Sequence, residues 1–364
     1  MLDLLSLKSR LLVCFALVVL AFPGCGSSNG GTGGGTGGGT GGGTGGGTGG
    51  GTGGGGGLDG GDQVCDGVEC NAGTCIDNGG TPKCDCDVGY AGPTCTSCAA
   101  GYIPDPNSVG SCVVGLAVTS GLALWLDAMH SGGFTFAGAS GFEIGGWADK
   151  VADSPIVAQG SADTRPTYAH EGLNGRPTVQ FDGADRLSIA DFTGLEAQPA
   201  YAVFVVGNSS VDDAGCFMSG VSGVNEYGLR ARSMFGDRLV FLHDGDFAGL
   251  SNSDALTTTV ANIPVSRTNA QVMSFLRNAV EEVQSIRVDG AHEEVMTDVT
   301  PTPEAPVFSV PFNAPFAEVR LGECANVEES FLTGYISEVL IYSTALTTSQ
   351  VEAIEAYLLL KWGI

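Results

Sequence analysis

The chain has 364 residues, with 40 Asp and Glu against 15 Lys and Arg, a formal net charge of -25 and a pI near 4.2. No basic stripe is present to neutralise phosphates, so nucleic acid is excluded as a partner; the acidity is compatible with solubility and with cations. The 59 glycines and 12 cysteines are unevenly spread, which divides the chain into segments of different physical character.

Residues 1–24 come first. Lys8 and Arg10 precede an apolar run from Leu11 to Phe22 that ends in Phe22-Pro23-Gly24-Cys25. The run is shorter than the roughly 20 apolar residues of a spanning helix, and its order of basic, apolar and small residues is that of a leader peptide. The segment resembles the lipobox of bacterial lipoproteins, although Phe22 and Pro23 stand where that family prefers Leu and a small residue. The resemblance implies cleavage after Gly24 and acylation of Cys25, whose several chains anchor stably at about 0.8 kcal/mol per buried methylene. It further implies a lipid-anchored protein of the bacterial cell envelope. Gly26 after the cysteine is similar to lipoproteins sorted to the outer membrane or cell surface.

Residues 25–61 are dominated by a Gly-Gly-Gly-Thr repeat, from Gly26 to about Gly57, that has no side chain able to build a core. Glycine maximises the entropy that ordering would cost, so this low-complexity segment is expected to be a disordered, flexible tether. Its root-mean-square reach is roughly 35 Å, enough to hold a folded unit clear of lipid head groups.

Eight of the cysteines fall between Cys65 and Cys112, within residues 62–113. Such density reads as a disulfide framework in an oxidising compartment, and spacing alone leaves the connectivity open. The run Cys84-Asp85-Cys86-Asp87-Val88-Gly89-Tyr90, closed by Cys95, resembles the EGF-like module, and Cys98 to Cys112 is similar to the fourth loop of its laminin-type form. The resemblance implies Cys65 with Cys75, Cys70 with Cys84, Cys86 with Cys95 and Cys98 with Cys112. Calcium-binding members carry acidic residues before the first cysteine; here Val64 directly precedes Cys65 and Pro82 replaces an aromatic, so this module is expected to be a stapled spacer.

Residues 114–364 alternate short apolar runs with Gly, Asn, Asp and Pro clusters. Ten strands are expected, among them Leu122 to Leu126, Tyr201 to Val206, Val272 to Leu276 and Thr333 to Tyr342, in two antiparallel sheets packed face to face. One helix closes the chain. Thr347 and Gln350 form a capping box, Val351, Ile354 and Leu358 give the apolar stripe, and Gly363 stops it. Leu124-Trp125-Leu126-Asp127, Trp147-Ala148-Asp149, Asn174-Gly175-Arg176-Pro177, Phe181-Asp182-Gly183, Gly334-Tyr335-Ile336-Ser337-Glu338 and Lys361-Trp362-Gly363 follow in order. Together they resemble bacterial laminin-G-like domains of the concanavalin A-like lectin/glucanase superfamily. The resemblance implies an all-β fold, a jelly-roll sandwich with a C-terminal helix, whose members bind glycans or proteins.

Trp125, Trp147 and Trp362 are read as packing residues, and Asn174-Gly175 and Asp182-Gly183 as turns. No cofactor is required. Calcium is the one metal that acidic loops could take, and the candidate ligands are Asp182, Asp185, Asp244 and Asp246. Cys216 and Cys324, the only cysteines of this region, form a candidate fifth disulfide. Glucanases of this fold place carboxylates at alternate positions of one strand, and no such run occurs here. The histidines, His130, His170, His243 and His292, are scattered, and no nucleophile elbow or phosphate loop is present. The expected function is a non-catalytic surface lipoprotein that displays a glycan- or protein-binding domain for adhesion or capture. The alternatives are a structural envelope protein and a polysaccharide-cleaving enzyme with an atypical site.

Overall fold

The computed structural model describes residues 62–364, apart from 139, 153, 159–160, 211–214, 223–228, 235–237, 245–255, 265–267, 279–280, 282, 291, 297–315 and 325–329. The leader, Cys25 and the tether therefore lie outside the described residues.

A disulfide-rich module opens the described chain. A 3-10 turn at Asp62–Cys65 leads into the hairpin of β1 (Gly73–Asp77) and β2 (Pro82–Cys86), followed by the short ladders β3 (Tyr90–Ala91) with β4 (Ser97–Cys98) and β5 (Tyr102–Pro104) with β6 (Cys112–Val114). Four bridges staple it: Cys65 to Cys75, Cys70 to Cys84, Cys86 to Cys95 and Cys98 to Cys112. A module this small buries too little apolar surface to fold unaided, so the bridges carry its stability. Gly89 has a positive φ of 94°, and a Cβ there would lie 3.0 Å from the Tyr102 ring, which ties the third loop to the fourth. Gly101, at φ 81°, brings the module's backbone against the C-terminal helix; a Cβ at that position would meet Leu360 at 2.7 Å and the backbone of Ala356 at 2.9 Å.

The rest is an antiparallel β-sandwich. Its strands are β7 (Leu122–Asp127), β8 (Phe134–Ala137), β9 (Glu143–Asp149), β10 (Ser154–Ala158), β11 (Thr167–Leu173), β12 (Arg176–Asp182), β13 (Leu187–Phe192), β14 (Tyr201–Ser209), β15 (Cys216–Ser222) and β16 (Leu229–Met234). After them come β17 (Arg238–Asp244), β18 (Leu256–Pro264), β19 (Gln271–Asn278), β20 (Val283–Val288), β21 (His292–Met296), β22 (Phe316–Leu321) and β23 (Thr333–Tyr342). One sheet runs β8-β9-β10-β13-β22-β15-β16-β17-β18. The other runs β21-β20-β19-β14-β23. The far side of β23 is shared: residues 333–336 pair with β12 and residues 338–342 with β7. β12 pairs on to β11, and the single pair Thr167↔Glu143 joins the sheets at that edge.

Strand β14 shows why the layers hold. All nine of its residues are buried. Alternation sends Tyr201, Val203 and Val205 to one face and Ala202, Phe204 and Val206 to the other. On the first face Tyr201 meets Phe241 of the opposite sheet edge-on, with ring centroids 5.9 Å apart. The second face lies beneath the helix. Each fully buried Val or Phe contributes about 1.5–3 kcal/mol, so one strand buried on both sides anchors the fold.

Helix α1 (Thr348–Trp362) starts at the N-cap Thr347 with a complete capping box to Gln350 and ends at Gly363 in the left-handed conformation. Its buried face holds Val351, Ile354, Tyr357, Leu358 and Trp362, together with one charged residue, Glu355. The carboxylate of Glu355 accepts a hydrogen bond from Ser274 Oγ at 2.8 Å and is gripped by Arg287 through Nε and Nη2, each at 2.9 Å, which fixes the helix on β19 and β20.

The ten strands expected from sequence all occur, most of them a few residues longer than read. β8 to β11, β15, β18 and β21 were not expected. His292–Met296 (HEEVM) is too polar to announce a strand, Leu256–Pro264 (LTTTVANIP) lacks a clean apolar alternation, β8 (FTFA) is only four residues long, and β9 (EIGGWAD) is broken by two glycines. Their partners supply what local pattern does not.

Candidate functional site

The two acidic loop candidates that the structure describes sit on one turn. Asp182 ends β12, Gly183 follows at φ 97°, and the Asp182 side chain accepts the Ala184 N–H at 2.9 Å. Asp185 is buried and accepts the Asp182 N–H on Oδ2 at 3.0 Å. Burial raises the Asp185 carboxyl to about 7, aided by the neighbouring Asp182 charge and opposed by the hydrogen bond from the Asp182 backbone. Among the described residues no group of three or more His, Cys, Asp or Glu converges as a metal site. Asp244 ends β17 with its side chain outside the described residues, and Asp246 is outside them altogether.

This turn lies at one end of a polar groove on the outer face of the helix-bearing sheet. Strand register aligns a row of side chains across it: Thr167 on β11 opposes Gln180 on β12, Gln180 opposes Tyr335 on β23, and Tyr335 opposes Asn208 on β14. A second row sets Asp182 opposite Thr333, with the Ser210 N–H donating to the Thr333 carbonyl at 2.8 Å. Residues in register share a face, so both rows point outward where the helix does not reach. The groove measures about 390 Å³ and also takes in Arg165. Tyr335 stands half-buried at its floor, its hydroxyl pKa raised by burial, and also walls a second hollow of about 460 Å³ beside Asn174 and Asn269. Gln180 and Asn208 stand in no motif, and Tyr335 stands in one without a site role of its own. Each is an ordinary outward residue of a strand, and only the register brings them together.

Under the helix the same sheet carries a buried charged lock. Glu338 is fully buried and accepts hydrogen bonds from Trp125 Nε1 at 2.7 Å, Trp362 Nε1 at 2.6 Å and Tyr357 Oη at 3.1 Å. Lys361 Nζ pairs with Glu338 at 2.8 Å and with Asp127 at 2.8 Å, and Lys150 pairs with Asp127 at 2.8 Å. Burial raises the Glu338 carboxyl, an effect that Lys361 opposes without cancelling. At Asp127 burial pushes the same way, but Lys361 and Lys150 together outweigh it and hold the carboxyl low. Trp147 and Trp362 are wholly buried, while Trp125 is half-buried with Lys150 Nζ 3.6 Å above its ring.

The described histidines form no catalytic array. His243 is buried between the sheets, its Nδ1 2.9 Å from the Tyr201 hydroxyl. Beside this pair Arg277, lowered to about 10 by burial, donates to Gln284 at 2.9 Å. All four side chains are shut in the interior, where they order the sheets and meet no solvent. His170 packs edge-on to Tyr168, and the His292 side chain is outside the described residues. Cys216 and Cys324, both fully buried, are joined by a disulfide that ties β15 to the segment after β22.

Comparison with known proteins matches one domain family, over a short segment of the chain. Residues 65–94 match the model for the EGF-like domain. No curated protein matches the chain. Among solved structures, domain 4 of an extracellular arabinanase from Geobacillus stearothermophilus, in complex with arabinotriose, aligns at 14% identity and a TM-score of 0.45, covering 65% of this chain and 98% of that one. The binding domain of Paraclostridial Mosquitocidal Protein 1 aligns at 8% identity and 0.44, covering 65% and 52%. The ligand-binding domain of botulinum neurotoxin serotype D, in complex with N-acetylneuraminic acid, aligns at 8% identity and 0.42, covering 65% and 50%. The chain thus spans about half the length of these toxin structures. It carries an EGF-like domain ahead of an antiparallel β-sandwich, and its disulfides are those of a secreted or extracellular protein.

Proposed function

We propose that this protein is a lipid-anchored surface protein of the bacterial envelope, held at Cys25, that displays a non-catalytic glycan-binding sandwich. The observation that carries the reading is the outward row Thr167, Gln180, Tyr335 and Asn208, an aromatic ring among hydrogen-bonding side chains in an open groove of about 390 Å³. A sugar ring offers an apolar face and a rim of hydroxyls. Tyr335 supplies surface for the face, while the exposed Gln180 supplies donors and acceptors for the rim. The volume suits one or two sugar units, in keeping with reversible binding of a chain end.

The groove's two carboxylates are neighbours on one turn, linked through the Asp182 N–H. Glycoside hydrolysis needs an acid and a second carboxylate on opposite sides of the scissile bond, so their placement favours binding over cleavage. Acylated Cys25 and the Gly/Thr tether of residues 25–61 would hold the domain at the membrane yet clear of it. The test is a glycan array with the full-length chain, followed by calorimetric titration of each hit. Saturable binding that Tyr335→Ala weakens at least about tenfold supports the reading, and silence across the array moves the role to protein contact in the envelope.

A further inference from the structure

A separate cavity of about 680 Å³ opens where the EGF-like module meets the sandwich, and its chemistry differs from that of the groove. Ile103 and Val114 form its wall on the module side. Leu116 and Leu360 continue the apolar surface on the sandwich and helix, and Gly101 sets the two parts in contact. Into this apolar hollow face three cations, Lys150, Arg176 and Lys361, against one carboxylate, Asp127. A cationic lining is unexpected on a chain of net charge -25.

The three cations are not equally engaged. Lys361 spends its three donors on Asp127, Glu338 and the Tyr357 hydroxyl. Lys150 pairs with Asp127 and lies over the Trp125 ring, which leaves one N–H free to donate. The Arg176 side chain makes no hydrogen bond or ion pair among the described residues, although it is half-buried. Withdrawing a guanidinium from water without a partner is costly, and a planar fork of donors matches a carboxylate in bidentate geometry.

We propose that this junction cavity binds a small amphiphilic carboxylate, its carboxylate held by Arg176 and Lys150 and its apolar body against Ile103, Leu116 and Leu360. The apolar walls favour a hydrocarbon or aromatic body over a polyhydroxylated one, and the unpaired guanidinium favours an anionic head group. The site is distinct from the groove at Tyr335, and the EGF-like module thereby becomes one wall of a binding site in addition to a spacer.

The probe is the fluorescent anion 8-anilinonaphthalene-1-sulfonate on the full-length chain, displaced by decanoate or, as the neutral control, by decanol. The proposal expects saturable enhancement displaced by decanoate and not by decanol. Arg176→Gln should weaken decanoate at least about tenfold, and Arg176→Lys should fall between it and the parent. Gly101→Val, which pushes the module off the helix, should abolish probe binding while leaving glycan hits at the groove intact. Equal displacement by decanol, displacement by acidic sugars alone, or an Arg176→Gln variant that binds like the parent would each overturn it. Thermal melts confirm that every variant is folded. Should Arg176→Gln fail to fold, Arg176→Lys and the loss of decanoate binding with added salt decide the question.

Discussion

Asp127 and Glu338 face each other across β7 and β23 as register partners, and Lys361 Nζ lies 2.8 Å from a carboxylate oxygen of each. Two buried carboxylates side by side repel, and the lysine that reconciles them comes from the last turn of α1. The lock therefore ties the end of the chain to its first sandwich strand.

Removing that lysine should be severe. Lys361→Met leaves two carboxylates buried with only Lys150 to compensate them, and the expected loss is about 3–5 kcal/mol. Glu338→Gln keeps an oxygen for one of the indole donors and removes a charge whose pKa is already raised by burial, so it should cost less. Urea unfolding of both variants orders the two effects; a Lys361→Met variant as stable as the parent would show that the pairs contribute nothing net.

How much of this was legible beforehand follows from the range of each interaction. The capping box at Thr347 and Gln350 and the stop at Gly363 are local signals and appear as read. Trp125, Asp127, Glu338 and Lys361 stood out in motifs, yet their meeting depends on strand pairing across more than two hundred residues. The groove was less legible still. Gln180 and Asn208 carry no motif, and Tyr335 lies in a run that reads as strand; they become a row only through the register of β11, β12, β23 and β14. The acidic turn at Asp182 was visible from Asp-Gly spacing, but the burial that raises Asp185 comes from packing around the turn.

Asp185 should leave a signature in the pH dependence of stability. Its folded pKa of about 7 lies above the ordinary carboxylate value of 3.8, so the folded state holds a proton that the unfolded state has released between those limits. The contribution is fully present below about 4 and is lost as pH rises through about 7. Asp185→Asn should flatten this part of the profile and stabilise the protein above pH 7, by about 1 kcal/mol after allowing for solvent screening. Melting temperatures of parent and variant from pH 4 to about 8.5 give the difference curve. A constant offset would mean that Asp185 titrates normally.

Ligand binding in the groove should depend on Tyr335 and not on calcium. The Asp182 side chain is engaged by Ala184 N–H, and Asp185 is close to half protonated at neutral pH while accepting the Asp182 N–H, which leaves little charge for a cation. Glycan affinity should stay the same in chelator, whereas Tyr335→Ala should cost at least about tenfold and Gln180→Ala somewhat less. Titrations with calcium and with chelator check this; a chelator-sensitive affinity would return the acidic turn to the role of a metal site.

The Cys216–Cys324 bridge closes a segment of 108 residues that contains β16 to β22. Chain-entropy reasoning gives long loops the larger stabilisation, and removing a native bridge typically costs about 2–5 kcal/mol. The double variant Cys216→Ala, Cys324→Ala should therefore lower stability by an amount in that range and leave the EGF-like module's four bridges intact. Both sulfurs are fully buried, so alkylation of the reduced parent should label them only after denaturant is added. Because the bridge ties β15 to the chain beyond β22, its loss should loosen that sheet first. Hydrogen exchange localises the effect: protection should fall in β15, β16 and β22 while β14 and β23, buried on both faces, keep theirs. Uniform loss across both sheets would show that the bridge stabilises the sandwich only as a whole.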